Sequence, residues 1–396
     1  MTVADADTGS VRTLPGRYYH DPAIYAREQE TLFRNSWVCV GRADAIPLEG
    51  DYVLAEVGGE SVLVLRDRAG VVRAHLNVCR HRGARLCTAA QGRLHATVQC
   101  RYHAWTYGLD GRLVGAPNMK EDPSFDPARY GLVPVALELW EGLVWVNLAP
   151  RPAPLSDQLG ILYARFAHYG IGALAVGATV EYDLRSNWKV VVENFSECYH
   201  CAVMHPELSA QAPSFKSGVV TGHDGGGAAF AAGVESLTMT GTTRRPPLPG
   251  LAPEDLRTYY GDVLRPNVFL NLQPDYVVIH RLRPEGPDRT HVTCDWLFDP
   301  AVMARPDFDP SDAVEFWDLV NRQDWEVCEL AQLGSSSLAF RDGGVYAPVE
   351  RHIRRFDDYV LDHLGDMDHL DDQGNVGNVG NVGNVMGHLE RTTHGE

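Results

Sequence analysis

The sequence predicts an α+β protein in two parts: an all-β module, then a larger region in which helices flank an antiparallel sheet. Three observations predict it. From Trp37 to about Ala149 the chain runs in short β-branched or alternating stretches, such as Tyr52-Val53-Leu54 and Ser61-Val62-Leu63-Val64-Leu65, broken by turn residues such as Asp110-Gly111. After a proline-rich stretch, RPAPLSD at 151–157, which reads as a linker, helical and strand patterns mix through residue 371. The full length of 396 residues also exceeds the ~250 residues at which single cores stop growing.

Each element has a local reason. Asp21-Pro22 reads as an N-cap followed by proline at the first helical position, opening a helix over 22–35. A second helix is expected from Asn187 to Met204. A third is expected from Asp309 to Leu333, with Asp309 as N-cap, Pro310 at N1 and Gly334 just past the end. Between them, Pro266 to His280 and His291 to Phe298 read as strands of an antiparallel sheet. The tail, 372–396, contains GNVGNVGNVGNV, a repeat that buries nothing and is expected to be disordered.

Composition excludes several classes of function. At 44% hydrophobic and 22% charged the chain is globular. Its formal charge of −17 argues against nucleic-acid binding, which needs clustered Lys and Arg. No apolar run approaches the ~18 residues of a membrane span, and MTVADADTGSVRT lacks the basic start and apolar core of a signal peptide. A cytoplasmic protein is expected, in which eight cysteines serve as metal ligands or buried thiols rather than disulfides.

Two constellations carry chemistry. Cys79-Arg80-His81 is followed, after 18 residues, by Cys100-Arg101-Tyr102-His103, with Gly83 turning the chain after the first pair and Asp110-Gly111 closing a hairpin after the second. Zinc fingers draw a Cys pair and a His pair from separate places, whereas here each loop gives one of each. That distribution fits a [2Fe–2S] centre in which thiolates hold one iron and imidazoles the other, the Rieske arrangement. Cys87, between the loops, reads as a buried thiol.

The second constellation is His200, His205 and Asp324. Five residues on one helix separate side chains by about 140°, too wide to grip one ion, but Pro206 pushes His205 out of helical geometry and can re-aim it. In the 309–333 helix, Ala313, Trp317, Val320, Asp324, Val327, Cys328 and Ala331 form one apolar stripe. A carboxylate on that stripe needs a partner or a metal, whereas Asp318, Arg322, Glu326 and Glu329 lie off it. Two imidazoles and one carboxylate suit non-haem Fe(II) oxygenases and also zinc hydrolases. A one-electron relay in the same chain has no use in hydrolysis, and a ferredoxin would need only the first ~150 residues.

Over residues 15–365 the chain resembles the large subunits of Rieske non-haem iron oxygenases, the aromatic-ring-hydroxylating dioxygenase family. Cys79-x-His81, Cys100-x-x-His103 with Ala104-Trp105-Thr106-Tyr107, and Glu197-x-x-His200-x4-His205 match its motifs in order. The resemblance implies a Rieske [2Fe–2S] domain at 37–150 and a helix-grip catalytic domain at 15–36 and 151–371. Cys79, His81, Cys100 and His103 would hold the cluster, and His200, His205 and Asp324 the mononuclear Fe(II). Glu197 stands where Asp is usual and would bridge His200 to His103 of a neighbouring chain. Some members thought to oxidise quaternary ammonium compounds share that Glu. Asn194 would line the iron pocket or cap a local hydrogen bond, Glu193 would be solvated or salt-bridged, and Cys198 and Cys201 read as packing thiols in preference to a redox pair.

The resemblance further implies O2 as co-substrate, electrons from NAD(P)H through a separate flavin or iron–sulfur reductase, and a homotrimer. Residues 266–282 and 320–334 look similar to the glycine-betaine demethylase and choline-monooxygenase branch, which implies oxidative N-demethylation of a betaine-like substrate. Phe195, Tyr199, Phe269 and Trp296 read either as a cation–π cage for the ammonium head or as ordinary core aromatics. Dihydroxylation of an aromatic acid is the alternative.

Overall fold

The computed structural model describes residues 12–218 and 227–365, so the GNV repeat lies outside the described residues. Ten strands occupy the first part: β1 (Val38–Arg42), β2 (Asp51–Val57), β3 (Glu60–Arg66), β4 (Val72–Leu76), β5 (Gln91–Arg93), β6 (Thr97–Gln99), β7 (Thr106–Gly108), β8 (Leu113–Gly115), β9 (Pro134–Trp140) and β10 (Leu143–Asn147). Seven of them form an antiparallel sheet in the order β1-β10-β9-β4-β3-β2-β5, and β6-β7-β8 form a small second sheet. β3 is buried along Ser61–Leu65 because it is central. Its two faces enter different cores: Val62 and Val64 face the main core, whereas Leu63 and Leu65 face a smaller one built around Cys79, Cys100, Trp105 and Tyr107.

The second part is built on a six-stranded antiparallel sheet, in the order β11-β16-β15-β14-β13-β12. Its strands are β11 (Ala175–Leu184), β12 (Ala228–Ala229), β13 (Thr258–Leu264), β14 (Val268–Leu272), β15 (Val277–Gly286) and β16 (Arg289–Phe298). The α-helices among the described residues are α1 (Pro22–Glu28), α2 (Leu155–Leu159), α3 (Leu162–Arg165), α4 (Trp188–Phe195), α5 (Cys201–Met204), α6 (Pro206–Gln211), α7 (Pro300–Met303), α8 (Ser311–Ser335) and α9 (Arg351–Leu364). One face of the sheet, through Phe269, Val278, Cys294 and Trp296, packs with Trp188 of α4, Trp317 and Val320 of α8 and Phe356 of α9. The other face packs on Leu155, Phe166 and Tyr169. Burial on both faces explains the near-continuous apolar runs in β14 and β15, which alternation alone would not give.

Several expectations change. The run 266–280 is two strands, not one: the chain turns at Gln273–Tyr276, where Pro274 lacks an amide donor and the buried Asp275 carboxylate accepts from Ser236, Thr243 and Arg245. The 151–157 linker ends in helix α2, with Leu155 fully buried. The 22–35 helix is α1, capped by Asp21, continued by a π-helical turn to Phe33. Its Glu28 accepts from Trp188 Nε1 at 2.8 Å and pairs with the buried Lys189, tying this segment to α4.

In α8 the N-cap is Pro310 rather than Asp309, which still accepts from Ser311 N at 2.9 Å one residue further out, and Gly334 lies inside the helix with Ser336 as its C-cap. The buried stripe also differs: Ala331 is exposed, and polar Asn321 and Gln332 take buried places because β15 and the 186–188 turn offer hydrogen-bond partners. Asp318 accepts from Tyr182 Oη at 2.8 Å and Glu329 pairs with Arg185, so both tether α8 rather than being merely solvated.

Candidate metal centres

The two Cys/His loops are built on one plan. In the first, Cys79 N donates to Ala84 O at 2.8 Å and Gly83 N to Cys79 O at 3.0 Å; in the second, Cys100 N donates to Trp105 O at 2.8 Å and Ala104 N to Cys100 O at 3.0 Å. Each loop therefore places its cysteine first and turns through a left-handed residue four positions on, Gly83 at φ +73° and Ala104 at φ +56°. An alanine in that region carries a cost of about 1–2 kcal/mol, offset by the loop it closes. Tyr107 Oη contacts Cys79 Sγ at 3.3 Å and accepts from Arg80 N at 3.0 Å, joining loop to hairpin.

The loops bring the His81 and His103 rings to 4.6 Å, with Trp105 stacked on His81 at 4.9 Å. Both cysteines are buried, whereas His81 is exposed. His103 Nδ1 is buried with no hydrogen-bond partner, an orphaned atom that a bound metal would satisfy. Burial, then His81 and Arg82, lowers the His103 pKa and favours the neutral ring that ligation requires. Two thiols and two imidazoles, one of each from either loop, fit a two-iron cluster in which sulfur holds one iron and nitrogen the other.

The second centre is compact. Among the described residues His200, His205 and Asp324 form one group whose ligand atoms lie within 4.8 Å of each other. His205 Nε2 is 2.9 Å and His200 Nε2 3.2 Å from the same oxygen, Asp324 Oδ1. The outer nitrogens are held as well: His200 Nδ1 by Glu197 Oε1, and His205 Nδ1 by Gln323 Oε1 at 2.7 Å. Such outer partners fix tautomer and ring orientation so that both Nε2 atoms face inward. Gln323 was not singled out in the sequence; its neighbour Asp324 was the available signal, since adjacent helical positions lie only ~100° apart.

Local chain geometry places these groups. The expected helix from Asn187 to Met204 is broken after α4. Ser196 Oγ bonds back to Val192 O at 2.6 Å, and the Glu197 carboxylate accepts from the backbone N–H of Tyr199 and His200. These bonds compete with helix continuation, so His200 is the N-cap of the separate helix α5. His205 leaves helical geometry at φ −122°, ψ 68°, between α5 and α6.

Charge is balanced within the triad. Burial depresses both imidazoles, but hydrogen bonds outweigh it: His200, bonded to Asp324, Cys201 and Glu197, is pushed up to about 12, and His205 is raised by Asp324. Burial raises Asp324, yet hydrogen bonds from both histidines bring it down to about 2. A divalent cation bound here replaces the imidazole protons.

A cavity of about 60 Å³ adjoins the triad, with Phe195, Phe215, Tyr259 and Trp317 in its wall and no lysine or arginine. Asn194 also lines it, and its amide makes no hydrogen bond among the described residues. The expected cage is thus mostly a different one. Phe195 lines the cavity and Phe269 stacks behind it at 4.1 Å, but Tyr199 is 63% exposed and Trp296 is buried in the sheet. Glu193 is not solvated: Tyr19 Oη donates to it at 3.0 Å, and burial and the charge of Asp357 push its carboxyl well up.

A family model described as "Rieske [2Fe-2S] domain" matches residues 36–133, and one described as "Ring hydroxylating alpha subunit (catalytic domain)" matches 171–366. The glycine betaine monooxygenase oxygenase subunit of Chromohalobacter salexigens is 32% identical, with 89% of this chain and 86% of that protein covered. The chain belongs to the Rieske non-haem iron oxygenases. A Rieske oxygenase carries a [2Fe–2S] cluster and a catalytic iron, and takes its electrons from a separate reductase, so the zinc-protein and electron-carrier readings fall away. Among solved structures, a quaternary ammonium Rieske monooxygenase in complex with gamma-butyrobetaine superposes with TM-score 0.71 at 26% identity, over 91% of this chain and 97% of that one. Naphthalene 1,2-dioxygenase from Rhodococcus sp. shares the fold, at TM-score 0.71 and 22% identity, over 89% and 94% of the two chains. No helix among the described residues is long and apolar enough to cross a membrane.

Proposed function

We propose that this oxygenase removes an N-methyl group from a small betaine-like quaternary ammonium compound. The carrying observation is the cavity beside the triad: four aromatic side chains in its wall and no lysine or arginine. Aromatic faces attract an ammonium head, whereas an aromatic acid, the alternative substrate, calls for a cationic partner for its carboxylate. The cavity's small volume, about 60 Å³, also suits a compact head group. The similarity to a glycine betaine monooxygenase subunit supports the same reading.

We assign Cys79 and Cys100 to one cluster iron and His81 and His103 to the other, and His200, His205 and Asp324 to the catalytic iron. These groups supply single-electron relay and O2 activation respectively. The protein's own residues hold the geometry: Glu197 and Gln323 orient the two imidazoles, the aromatic wall seats the ammonium, and Asn194 offers a free amide toward the bound molecule. One oxygen atom enters an N-methyl C–H bond and the other leaves as water, with two electrons from NAD(P)H. The carbinolamine then collapses to formaldehyde and the demethylated amine.

Among the described residues no hydrogen bond, ion pair or ring contact joins the Cys/His loops to the triad within one chain. Exposed apolar side chains flank each centre, Tyr102 at 57% on one and Tyr199 and Val203 at 63% and 82% on the other. Both facts support electron transfer between chains of a homotrimer, through Glu197 to His103 of a neighbour. Eight free cysteines support a reducing, cytoplasmic setting.

The test sets formaldehyde release from betaine-like amines against diol formation from aromatic acids, with reductase and NADH supplied. Formaldehyde from none of the amines overturns the substrate class. His205→Ala is expected to abolish NADH-coupled O2 uptake while the Rieske absorption persists.

A further inference from the structure

We propose that Cys198 and Cys201 form a dithiol in the wall of the iron pocket that hydrogen peroxide closes to a disulfide. Both line the cavity that holds His200, His205 and Asp324. Cys201 N donates to Cys198 O at 3.2 Å, closing a four-residue turn. Such a turn holds its end Cα atoms within ~7 Å, against the ~4.4–6.8 Å that a disulfide spans. The turn sets both cysteine side chains in the wall of the same cavity. Cys201 Sγ lies 4.0 Å from His200 Nε2, the nitrogen that also faces Asp324. The sulfurs therefore border the space where O2 is used. The cluster ligands aside, the chain's four other buried thiols are placed otherwise: Cys87 lies in the small core beside the loops, Cys328 points at Val190 O, Cys294 lies inside the sheet, and Cys39 contacts Gly41 O.

Electrons that reach O2 without a substrate to hydroxylate leave hydrogen peroxide, and in this pocket it is released beside a ready pair. The Cys201 sulfur attacks one peroxide oxygen: an S–O bond forms, the O–O bond breaks, and the thiol proton leaves with the departing hydroxide as water. Cys198 then displaces hydroxide from that sulfur and gives it its own proton, so a second water leaves as the S–S bond forms. Two thiols and one peroxide yield one disulfide and two waters, with two electrons passing from sulfur to oxygen. The new bond ties down the turn that carries His200 between the two cysteines, so turnover slows until a reductant reopens it.

The test uses the full-length holoenzyme. It is exposed either to added peroxide, with no reductase, or to reductase, NADH and O2 without substrate. Trypsin releases Val190–Lys216 as one peptide, which contains both cysteines and Met204. We expect this peptide to lose two hydrogen masses before Met204 gains oxygen, with dithiothreitol reversing the change and restoring O2 uptake in step. In Cys198→Ser, Cys201 should accumulate as a sulfenic acid trapped by dimedone, with no reducible disulfide. The proposal is overturned if both thiols stay alkylatable when Met204 is oxidised, if sulfinic acid forms without a disulfide, or if either cysteine pairs elsewhere. The added-peroxide arm needs no substrate, so its result stands apart from the demethylase reading.

Discussion

Gln323 offers a direct test of how the catalytic iron is held. Its Oε1 lies 2.7 Å from His205 Nδ1, and His205 is only 1% exposed. Replacing it in Gln323→Leu keeps the volume close and the helix propensity high, but leaves the Nδ1–H buried without an acceptor. An unpaired buried donor costs about 1–3 kcal/mol, and loss of an outer partner of a metal ligand costs about 10–100-fold in affinity, which is ~1.4–2.7 kcal/mol. The two routes agree. We expect catalytic iron to be lost at a chelator concentration about 10–100-fold lower than in the parent, followed by iron analysis, with the Rieske absorption unchanged as internal control. Gln323→Glu, which keeps an acceptor, should retain most of the affinity. Parental iron retention and O2 uptake in Gln323→Leu would refute the role given to this hydrogen bond.

Further outcomes follow from other residues. Glu197→Ala removes the group that holds His200 Nδ1 and two backbone amides, so NADH-coupled O2 uptake should fall about 10–100-fold with the cluster spectrum intact; unchanged uptake would count against the bridge. His75 is 4% exposed, neither ring nitrogen has a hydrogen-bond partner, and burial depresses it from 6.5 to about 4. A depressed folded-state value contributes stability above pH ~6.5 that is lost as pH falls through ~4, on the order of 3 kcal/mol. The melting temperature of His75→Leu should therefore fall less than the parent's across that window, and equal slopes would refute this. Gly111 sits at φ +86°, and a Cβ there would lie 2.5 Å from His75 Cε1, so Gly111→Ala should destabilise the β7–β8 hairpin by at least ~1–2 kcal/mol, read as an earlier loss of Rieske absorption on heating.

By itself, the sequence determined what depends on neighbours along the chain. The two Cys/His loops were legible because each is a short closed turn whose ligand spacing is set locally, with Gly83 marking one turn. His205 was legible because Pro206 restricts the residue before it, and Asp324 because an isolated carboxylate on an apolar stripe needs a counter-charge. The strand-rich first part and the long α8 were visible in their periodicities. The tertiary structure decided what depends on partners far away in sequence. Ser196 and Glu197 break the helix by bonds whose geometry no pattern announces. Gln323 becomes an orienting group only because His205 arrives from 118 positions away, and the cavity wall draws on Phe215, Tyr259 and Trp317 instead of the exposed Tyr199. Glu193 is half-buried and bonded because Tyr19 crosses 174 positions to meet it. Ligand identity is a property of a residue and its immediate turn, whereas orientation, burial and pocket shape come from packing, which the chain specifies only once all of it has folded.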